Sequence, residues 1–276
     1  ISTIDYNEYV GRIGVGKVDN GSIKVNQDVV LVNHHDRDFC KKVKISKLYE
    51  FDGLNKVEVN EASIGSIVAI SGIPDIKIGD TICSPEKPEA IPFQKISEPT
   101  ISMNFMVNDS PLAGQEGKYV TSRHLRDRLF RELNTDVSLR VEETDSTDVF
   151  KVSGRGELHL SVLIENMRRE GYEFAVSKAE VLYKYDERNQ KLEPMELAYV
   201  DVPEEFSGNV IQKLSSRKGE LQGMSAINGG YTRLEFEIPS RGLIGYRSEF
   251  MTDTKGNGIL NTMFEGYGPY KGDMMY

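Results

Sequence analysis

The first ninety residues alternate short apolar runs with polar turn sequences. Runs such as Asp28–Asn33 and Ser66–Ser71 are rich in Val or Ile and have the length of strands. They are separated by turn residues such as Asp19-Asn20-Gly21 and Asp52-Gly53. Many short strands joined by tight turns are typical of a β-barrel or a sandwich. We therefore predict a β-barrel domain over residues 1–93.

A proline-bearing stretch ends this pattern. Pro85, Pro88, Pro92 and Pro99 lie among Glu and Lys residues. Proline stiffens the backbone and removes a hydrogen-bond donor, so the stretch is typical of a linker or an edge segment. We place a domain boundary here.

The apolar positions beyond this boundary mix strand alternation with helical spacing. Ser122–Leu133 carries Leu at i, i+4 and i+8, with Ser122 placed to cap the helix. Glu157–Glu170 has one apolar stripe, with Glu at its start and two Arg at its end, as the helix dipole favours. Together with the strands around them, these helices give the order β-α-β-β-α-β, which predicts a ferredoxin-like domain over residues 97–183.

The same order recurs over residues 192–268, where we predict a second ferredoxin-like domain. Its elements include a helix over Ser207–Ser216, a hairpin around Asn228-Gly229-Gly230 and a helix over Leu243–Thr252. The predicted fold class is therefore multi-domain β and α+β. Residues 269–276 are rich in Gly, Tyr and Met, and we expect them to lack a packing partner and to open a further, truncated region.

Composition narrows the class of protein. The 276 residues carry a net charge of −9, which disfavours non-specific binding to nucleic acid but permits a local basic surface. No apolar run approaches the roughly 18 residues of a membrane span. The only cysteines, Cys40 and Cys83, form no paired motif, which fits a reducing cytosol. We expect a cytoplasmic protein.

The sequence Gly11–Lys17 matches the GxxxxGK core of a phosphate-binding loop. Val18 stands where the magnesium-binding hydroxyl belongs, and the turn at Asp19 replaces the helix that such a loop requires. We therefore predict a barrel strand here and no nucleotide site.

Two polar groups could be mistaken for catalytic or metal sites. Adjacent side chains on a strand point to opposite faces, so His34 and His35 would not converge on a metal with Cys40. The acidic residues between Glu142 and Asp148 lie on a turn, whereas catalytic carboxylates need a partly desolvated pocket. We predict no metal site and no catalytic residues.

Basic residues form three clusters on the predicted helices. One lies on the first helix, one at the end of the third, and one flanks glycines and a tyrosine, a combination suited to phosphate contact and base stacking. The candidate RNA-binding residues are Arg241, Arg247, Tyr246, Lys213, Arg217, Lys218, Arg123 and Arg126. An alternative interpretation of Arg241 is an ion pair with an acidic neighbour such as Glu249.

Several stretches resemble translational GTPases. Tyr9–Ile13 and the turn at Asp19-Asn20-Gly21 resemble their second, β-barrel domain, and Ser153–Leu160 resembles the signature of their third domain. Ile164–Gly171 and Pro239–Arg247 are similar to the TypA/BipA subfamily in particular.

This resemblance implies an architecture. The barrel would correspond to domain II and the two ferredoxin-like domains to domains III and V. Residues 179–194 are too few for the extra domain that elongation factor G carries between them, which fits TypA/BipA or its relative LepA. The GTPase domain and most of a C-terminal domain would be missing, so GTP and Mg²⁺ are expected only with that missing GTPase domain and no cofactor with this chain.

The resemblance also implies a function. Its partners would be the ribosome, with rRNA and ribosomal proteins of both subunits, and tRNA as a further candidate. The chain would be a monomer without membrane contact, acting in translation, ribosome assembly and stress adaptation. The alternative is a free-standing metabolic enzyme or small-molecule-binding protein on ferredoxin-like domains, a fold that hosts many chemistries.

Overall fold

The structure, a computed structural model, describes residues 1–274 and divides into two compact units. Unit 1 contains Ile1–Glu98 and Thr121–Val141, and unit 2 contains Pro99–Val120 and the chain from Glu142 onward. The two predicted β-α-β-β-α-β segments therefore share unit 2, apart from Thr121–Val141. The predicted boundaries of three domains stay a prediction.

Unit 1 is built from ten short antiparallel strands. They are β1 Thr3–Asn7, β2 Gly11–Lys17, β3 Ser22–Lys24, β4 Asp28–Asn33, β5 Asp36–Lys44, β6 Lys47–Asp52, β7 Asn55–Glu58, β8 Glu61–Ser63, β9 Ile67–Ser71 and β10 Asp80–Cys83. The strand orders are β1-β2-β9-β6-β7, β10-β4-β5 and β3-β8. Fully buried Leu31, Ile45 and Leu48 form the centre of the core. The GxxxxGK sequence is strand β2, so the prediction of a strand there is confirmed.

Unit 1 also contains helix α1, Ser122–Glu132, whose Leu125 and Leu129 are buried. The cap is Thr121, whose side-chain oxygen accepts a hydrogen bond from the His124 N–H at 3.3 Å, so the expected cap at Ser122 was one residue late.

The proline-bearing stretch is bound to unit 1 over part of its length. The Ile91 N–H donates to the Thr81 hydroxyl at 3.0 Å, and His35 Nε2 lies 2.8 Å from the Phe93 carbonyl oxygen. A Cβ atom at Gly79 would lie 2.1 Å from the Phe93 ring, so glycine is needed for this ring to pack there. The predicted linker is therefore a packed strap at residues 91–93.

The chain from residue 101 follows the predicted β-α-β-β-α-β order, although the first helix of that order, α1, belongs to unit 1 and the strands form the first sheet of unit 2. Its elements are β11 Ile101–Met106, β12 Arg140–Glu143, β13 Val149–Gly154, helix α2 Glu157–Arg169, β14 Ala175–Val176 and β15 Glu180–Val181. The strand order is β12-β13-β11-β14, with β15 also paired to β11. Leu160, Leu163 and Met167 form the buried stripe of α2, which confirms the predicted apolar stripe.

The second sheet of unit 2 has the same connectivity with longer strands. Its elements are β16 Lys184–Tyr185, β17 Lys191–Pro203, α3 Glu204–Ser216, β18 Glu220–Ile227, β19 Tyr231–Pro239, α4 Ser240–Leu243, α5 Tyr246–Asp253 and β20 Ile259–Pro269. The strand order is β16-β17-β19-β18, and β20 pairs with β17 on the other side. Alternate residues of β17 and β19 pack against Val210, Leu214 and Phe250 in a single core.

Two expectations about this region differ from the structure. The single helix predicted over Leu243–Thr252 is split, because Gly245 adopts a left-handed φ of +74° at the start of α5. The tail from residue 269 was expected to have no partner, but the Tyr270 N–H donates to the Lys191 carbonyl at 3.1 Å and the Lys271 N–H donates to the Glu193 carboxylate at 3.1 Å. Residues 275–276 of that tail lie outside the described residues.

Candidate nucleic-acid interface

The basic residues predicted at the end of α3 are held by acidic residues of α5. Lys213 Nζ lies 2.5 Å from Glu249 and 2.7 Å from Asp253, and the Arg217 guanidinium lies 2.9 Å from Glu249. The hydrogen bonds that Lys213 donates to Asp253, and then to Glu249, raise the pKa of Lys213. The charges of Lys213 and Arg217 are thus largely balanced inside the protein.

Arg217 also fixes the glycine-bearing turn that follows α4. Its guanidinium donates to the Gly242 carbonyl at 3.0 Å and lies 5.0 Å from the centre of the Tyr246 ring. With only 17% of its side chain exposed, Arg217 has a structural role in positioning this turn.

Arg241 lies in the best-buried ion pair of those described. Its partner is Glu193 on β17, at 2.5 Å; the Arg241 side chain is 13% exposed and that of Glu193 0%. The guanidinium also donates to the Gly272 carbonyl and lies 4.6 Å from the Tyr270 ring centre. The alternative interpretation was therefore right about an ion pair but wrong about Glu249 as its partner. This placement argues against Arg241 as a phosphate contact.

Tyr246 is fully buried, so no face of its ring is open to a base in this structure. Burial, followed by the charges of Asp253 and Glu249, raises the pKa of Tyr246 to about 12. Its hydroxyl has no hydrogen-bond partner within residues 1–274. The ring acts as a core residue, in contact with Phe250 at a centroid distance of 5.9 Å.

Arg247 and Lys218 lie outside the ion pairs of this region, Arg247 exposed and Lys218 half-buried. Arg247 is exposed and donates one hydrogen bond to the Leu260 carbonyl at 3.2 Å. Lys218 has a left-handed φ of +65° and follows α3 in a hydrogen-bonded C-terminal turn, in which the Gly219 N–H donates to Leu214 at 2.8 Å. Within the described part of the chain, no carboxylate forms an ion pair with either residue.

Arg123 and Arg126 lie on the exposed side of α1 in unit 1. The Arg123 side chain is 90% exposed, and its Nε lies 3.9 Å from Asp127 Oδ2, which makes a long ion pair. The Arg126 guanidinium lies 4.7 Å from the centre of the Phe130 ring. A pair as open as Arg123–Asp127 leaves the arginine available to a phosphate.

Sequence reasoning missed the carboxylate that organises the Arg241 region. Glu193 accepts hydrogen bonds from Arg241 and from the Lys271 N–H, so it ties β17 to α4 and to the end of β20. Nearby, Lys191 lies 3.7 Å from the Tyr183 ring centre and 4.3 Å from that of Tyr270. No local signal distinguishes Glu193 from Glu196 and Asp201 on the same strand, and its partners are 48 and 78 residues away.

A metal site and a membrane-crossing helix are two further possibilities for the described residues. Within residues 1–274, no three His, Cys, Asp or Glu side chains are arranged to hold a metal ion. Over the same residues, no helix is both long and apolar enough to cross a bilayer.

Family models match two parts of the chain. The model of elongation factor Tu domain 2 matches residues 11–83, inside unit 1. The model of the elongation factor G C-terminus matches residues 190–276, which include the second sheet of unit 2.

Relatives match almost the whole chain. It is 51% identical over 274 residues to the large ribosomal subunit assembly factor BipA of Synechocystis. The BipA proteins of Bacillus subtilis and Escherichia coli K12 are 50% and 49% identical. These three alignments cover 97–99% of this chain but only 44–45% of each relative, so the chain spans less than half of their length.

One solved structure resembles this chain in fold, and the resemblance extends no further than the fold. A crystal structure of a protein from Thermus thermophilus aligns with 98% of this chain and 55% of its own, at a TM-score of 0.59 and 16% sequence identity.

Proposed function

Because the chain belongs to the TypA/BipA family of translational GTPases, we propose that it is the ribosome-contacting, non-catalytic portion of such a factor. The observation that carries this proposal is the alignment at 49–51% identity along 97–99% of the chain with ribosomal subunit assembly factors. The proposed process is ribosome assembly, with roles in translation and stress adaptation.

We infer that unit 1 is a translation-factor barrel and that both sheets of unit 2 are ferredoxin-like. The spatial order is β14-β11-β13-β12 in the first sheet of unit 2 and β20-β17-β19-β18 in the second, so the last of these four strands in the chain lies beside the first, followed by the third and the second. Together with the β-α-β-β-α-β connectivity, this order supports the assignment. Glycines and short strands in unit 1 fit a small closed sheet.

The chain itself has no catalytic role in this proposal. Its GxxxxGK sequence lies in strand β2, where no helix N-terminus follows to receive a phosphate. GTP and Mg²⁺ would be bound by a GTPase domain elsewhere in the whole factor. Calorimetric titration with GTP and Mg²⁺ tests this, and a micromolar dissociation constant for this chain would contradict it.

The predicted RNA-binding residues divide into two groups with different roles. Arg241, Lys213, Arg217 and Tyr246 shape the region around α4 and α5 through internal contacts. The proposed phosphate contacts are the remaining cations, which are the exposed Arg247, Arg123 and Arg126 and the half-buried Lys218. Because the net charge is −9, any contact with RNA must be local.

The proposed partners are rRNA and ribosomal proteins of both subunits, with tRNA as a further candidate, and the chain would act as a monomer in the cytoplasm. The alternative, a metabolic enzyme or small-molecule-binding protein, predicts a deep pocket with convergent titratable groups.

Co-sedimentation with purified ribosomes over a salt series tests the proposal. We expect saturable binding at low salt that weakens steadily as salt rises, because phosphate contacts release counterions. An absence of saturable binding at low salt would contradict the proposed function.

A further inference from the structure

The loop Asn108–Lys118, which follows β11, folds around the carboxylate of Glu173. Oε1 accepts hydrogen bonds from Asn108 Nδ2 at 2.9 Å and from the Gly114 N–H at 2.8 Å. Oε2 accepts from the N–H groups of Glu116 and Gly117, both at 3.0 Å. One side chain thus satisfies three backbone donors of a loop with no helix or strand of its own.

The carboxylate and the loop are matched in charge and in shape. Hydrogen bonds, first from Gly114 and Gly117 and then from Asn108 and Glu116, lower the pKa of Glu173 to about 2, so it is ionised throughout the physiological range. A Cβ atom at Gly117 would lie 2.5 Å from the Glu173 Cβ, so only glycine permits the close approach.

The end of the loop is fixed independently. The N–H groups of Lys118 and Tyr119 donate to the Gly171 carbonyl at 2.8 and 3.1 Å, and the Glu173 N–H donates back to the Tyr119 carbonyl at 3.1 Å. The Tyr119 and Tyr172 rings are in contact, with centroids 4.8 Å apart. The loop is therefore ordered before any partner arrives.

This ordered loop presents an apolar tip to solvent. Ser110, Pro111 and Ala113 are exposed, and Leu112 is 67% exposed. Asp109 and Glu116 flank the tip, against one basic residue, Lys118. Because the carboxylates repel phosphate, the charge of the loop disfavours RNA and favours an apolar protein pocket with a basic rim.

We propose that Asn108–Lys118 is a preformed protein-contact loop; this inference rests on the proposed association with the ribosome. Leu112 inserts into an apolar pocket edged by basic side chains on a ribosomal protein, and Glu173 is the positioning residue that keeps the loop in its binding shape. Ordering the loop in advance lowers the entropic cost of binding.

The shape of the loop is tested by amide hydrogen exchange in the whole chain. We expect Glu173→Gln to accelerate exchange at Gly114, Glu116 and Gly117 by about tenfold or more, since the charge-assisted bonds are removed. Exchange at the β17–β19 amides serves as the internal control. Leu112→Ser should leave all these rates unchanged. Unchanged rates at the three loop amides in the Gln variant would overturn the positioning role.

The contact is tested by ribosome co-sedimentation over a salt series. Leu112→Ser and Glu173→Gln should each weaken binding by about fivefold or more, as expected when a central apolar anchor is removed or misplaced, without changing the salt slope. The matched control is Leu54→Ser, because Leu54 is 100% exposed at the turn between β6 and β7 with no carboxylate arranged behind it.

Each other outcome overturns part of the account. Binding by Leu112→Ser that equals wild type overturns the contact loop alone. A salt slope lowered by about one in that variant would indicate a phosphate contact and overturn the assignment to protein. No saturable binding by the wild-type chain overturns the proposed function, and the contact loop with it.

Discussion

Arg241 and Arg247 lie six residues apart in one glycine-bearing stretch, yet they occupy opposite environments. Arg241 points into a buried ion pair with Glu193, whereas Arg247 is exposed and makes one hydrogen bond to a carbonyl. The difference arises because Gly245 breaks the helix between them and changes the direction of the chain. A cluster of arginines in sequence is therefore not one surface, and its members differ in burial and in partners.

The largest expected effect is a difference in the free energy of unfolding between variants of Arg241 and Arg247. Arg241→Ala leaves the fully buried Glu193 without its charge partner, and losing one member of a buried pair costs about 3–5 kcal/mol. Arg247→Ala, the matched control, should change stability by less than about 0.5 kcal/mol. Urea denaturation of both variants measures this. If Arg241→Ala lowered the free energy of unfolding by less than about 1 kcal/mol, the Arg241–Glu193 pair would contribute no more than a surface ion pair.

The second expected effect is a sensitivity to alkali centred on Tyr246. Because burial raises its pKa to about 12, the folded state holds the phenolic proton more tightly than the unfolded state does. The resulting stability is fully present below pH 10 and is lost as pH rises towards 12, at a cost of about 2–3 kcal/mol.

The matched variant is Tyr246→Phe, whose stability at pH 7 should be close to wild type because the hydroxyl has no partner within residues 1–274. Comparing the two proteins by denaturation at pH 7, 10 and 11.5 isolates this contribution. If wild type and Tyr246→Phe lost stability equally above pH 10, the buried phenol would not be the cause.

A smaller effect is expected in acid from Glu249. Hydrogen bonds from Lys213, and then from Arg217, outweigh burial and lower the pKa of Glu249. The stability this provides is present above the ordinary carboxylate pKa and is lost as pH falls through the lowered value. The site is partly exposed, so the contribution should stay below about 1 kcal/mol.

Glu249→Gln should accordingly show a shallower loss of stability than wild type between pH 6 and pH 3. Glu187→Gln is a control for acidic residues in general, because Glu187 is exposed and lies outside the network of Glu249, Lys213 and Arg217. An acid profile of Glu249→Gln that superimposes on wild type would show that the network adds no stability.

The smallest effect is expected at Arg123. Its pair with Asp127 is at 3.9 Å and almost fully exposed, and such i,i+4 pairs contribute about 0.3–0.5 kcal/mol. Thermal unfolding of Arg123→Ala should therefore be nearly that of wild type. A larger loss would mean that Arg123 has a structural role, like Arg241.

Local patterns in the sequence predicted the elements well. The predicted hairpin around Asn228-Gly229-Gly230 is confirmed, with strands Glu220–Ile227 and Tyr231–Pro239 on either side, because a short turn with glycines is a local signal. The apolar stripe of α2 is confirmed for the same reason, since helical spacing is a local property. The order of elements in both sheets of unit 2 followed from these elements.

Long-range pairing could not be predicted. Nothing near Arg241 in the sequence indicates Glu193, and nothing near Glu173 indicates that it binds a loop that lies about 60 residues earlier. The first acidic residue after Arg241 in the sequence, Glu249 on α5, is bound to Lys213 and Arg217 instead. Side-chain burial decided which cations remain accessible, and burial depends on the packed fold.

The central claim is that RNA is contacted by cations such as Arg247 and Lys218, and not by Arg241, Lys213 and Arg217, which are held in internal ion pairs. The direct measurement is the salt dependence of ribosome co-sedimentation for Arg247→Ala/Lys218→Ala, with exposed Arg188→Ala as the control. We expect the double variant to remain folded, to bind more weakly, and to lower the slope of log affinity against log salt by about two, one for each phosphate that is no longer neutralised. A folded double variant with the affinity and slope of wild type would contradict the account.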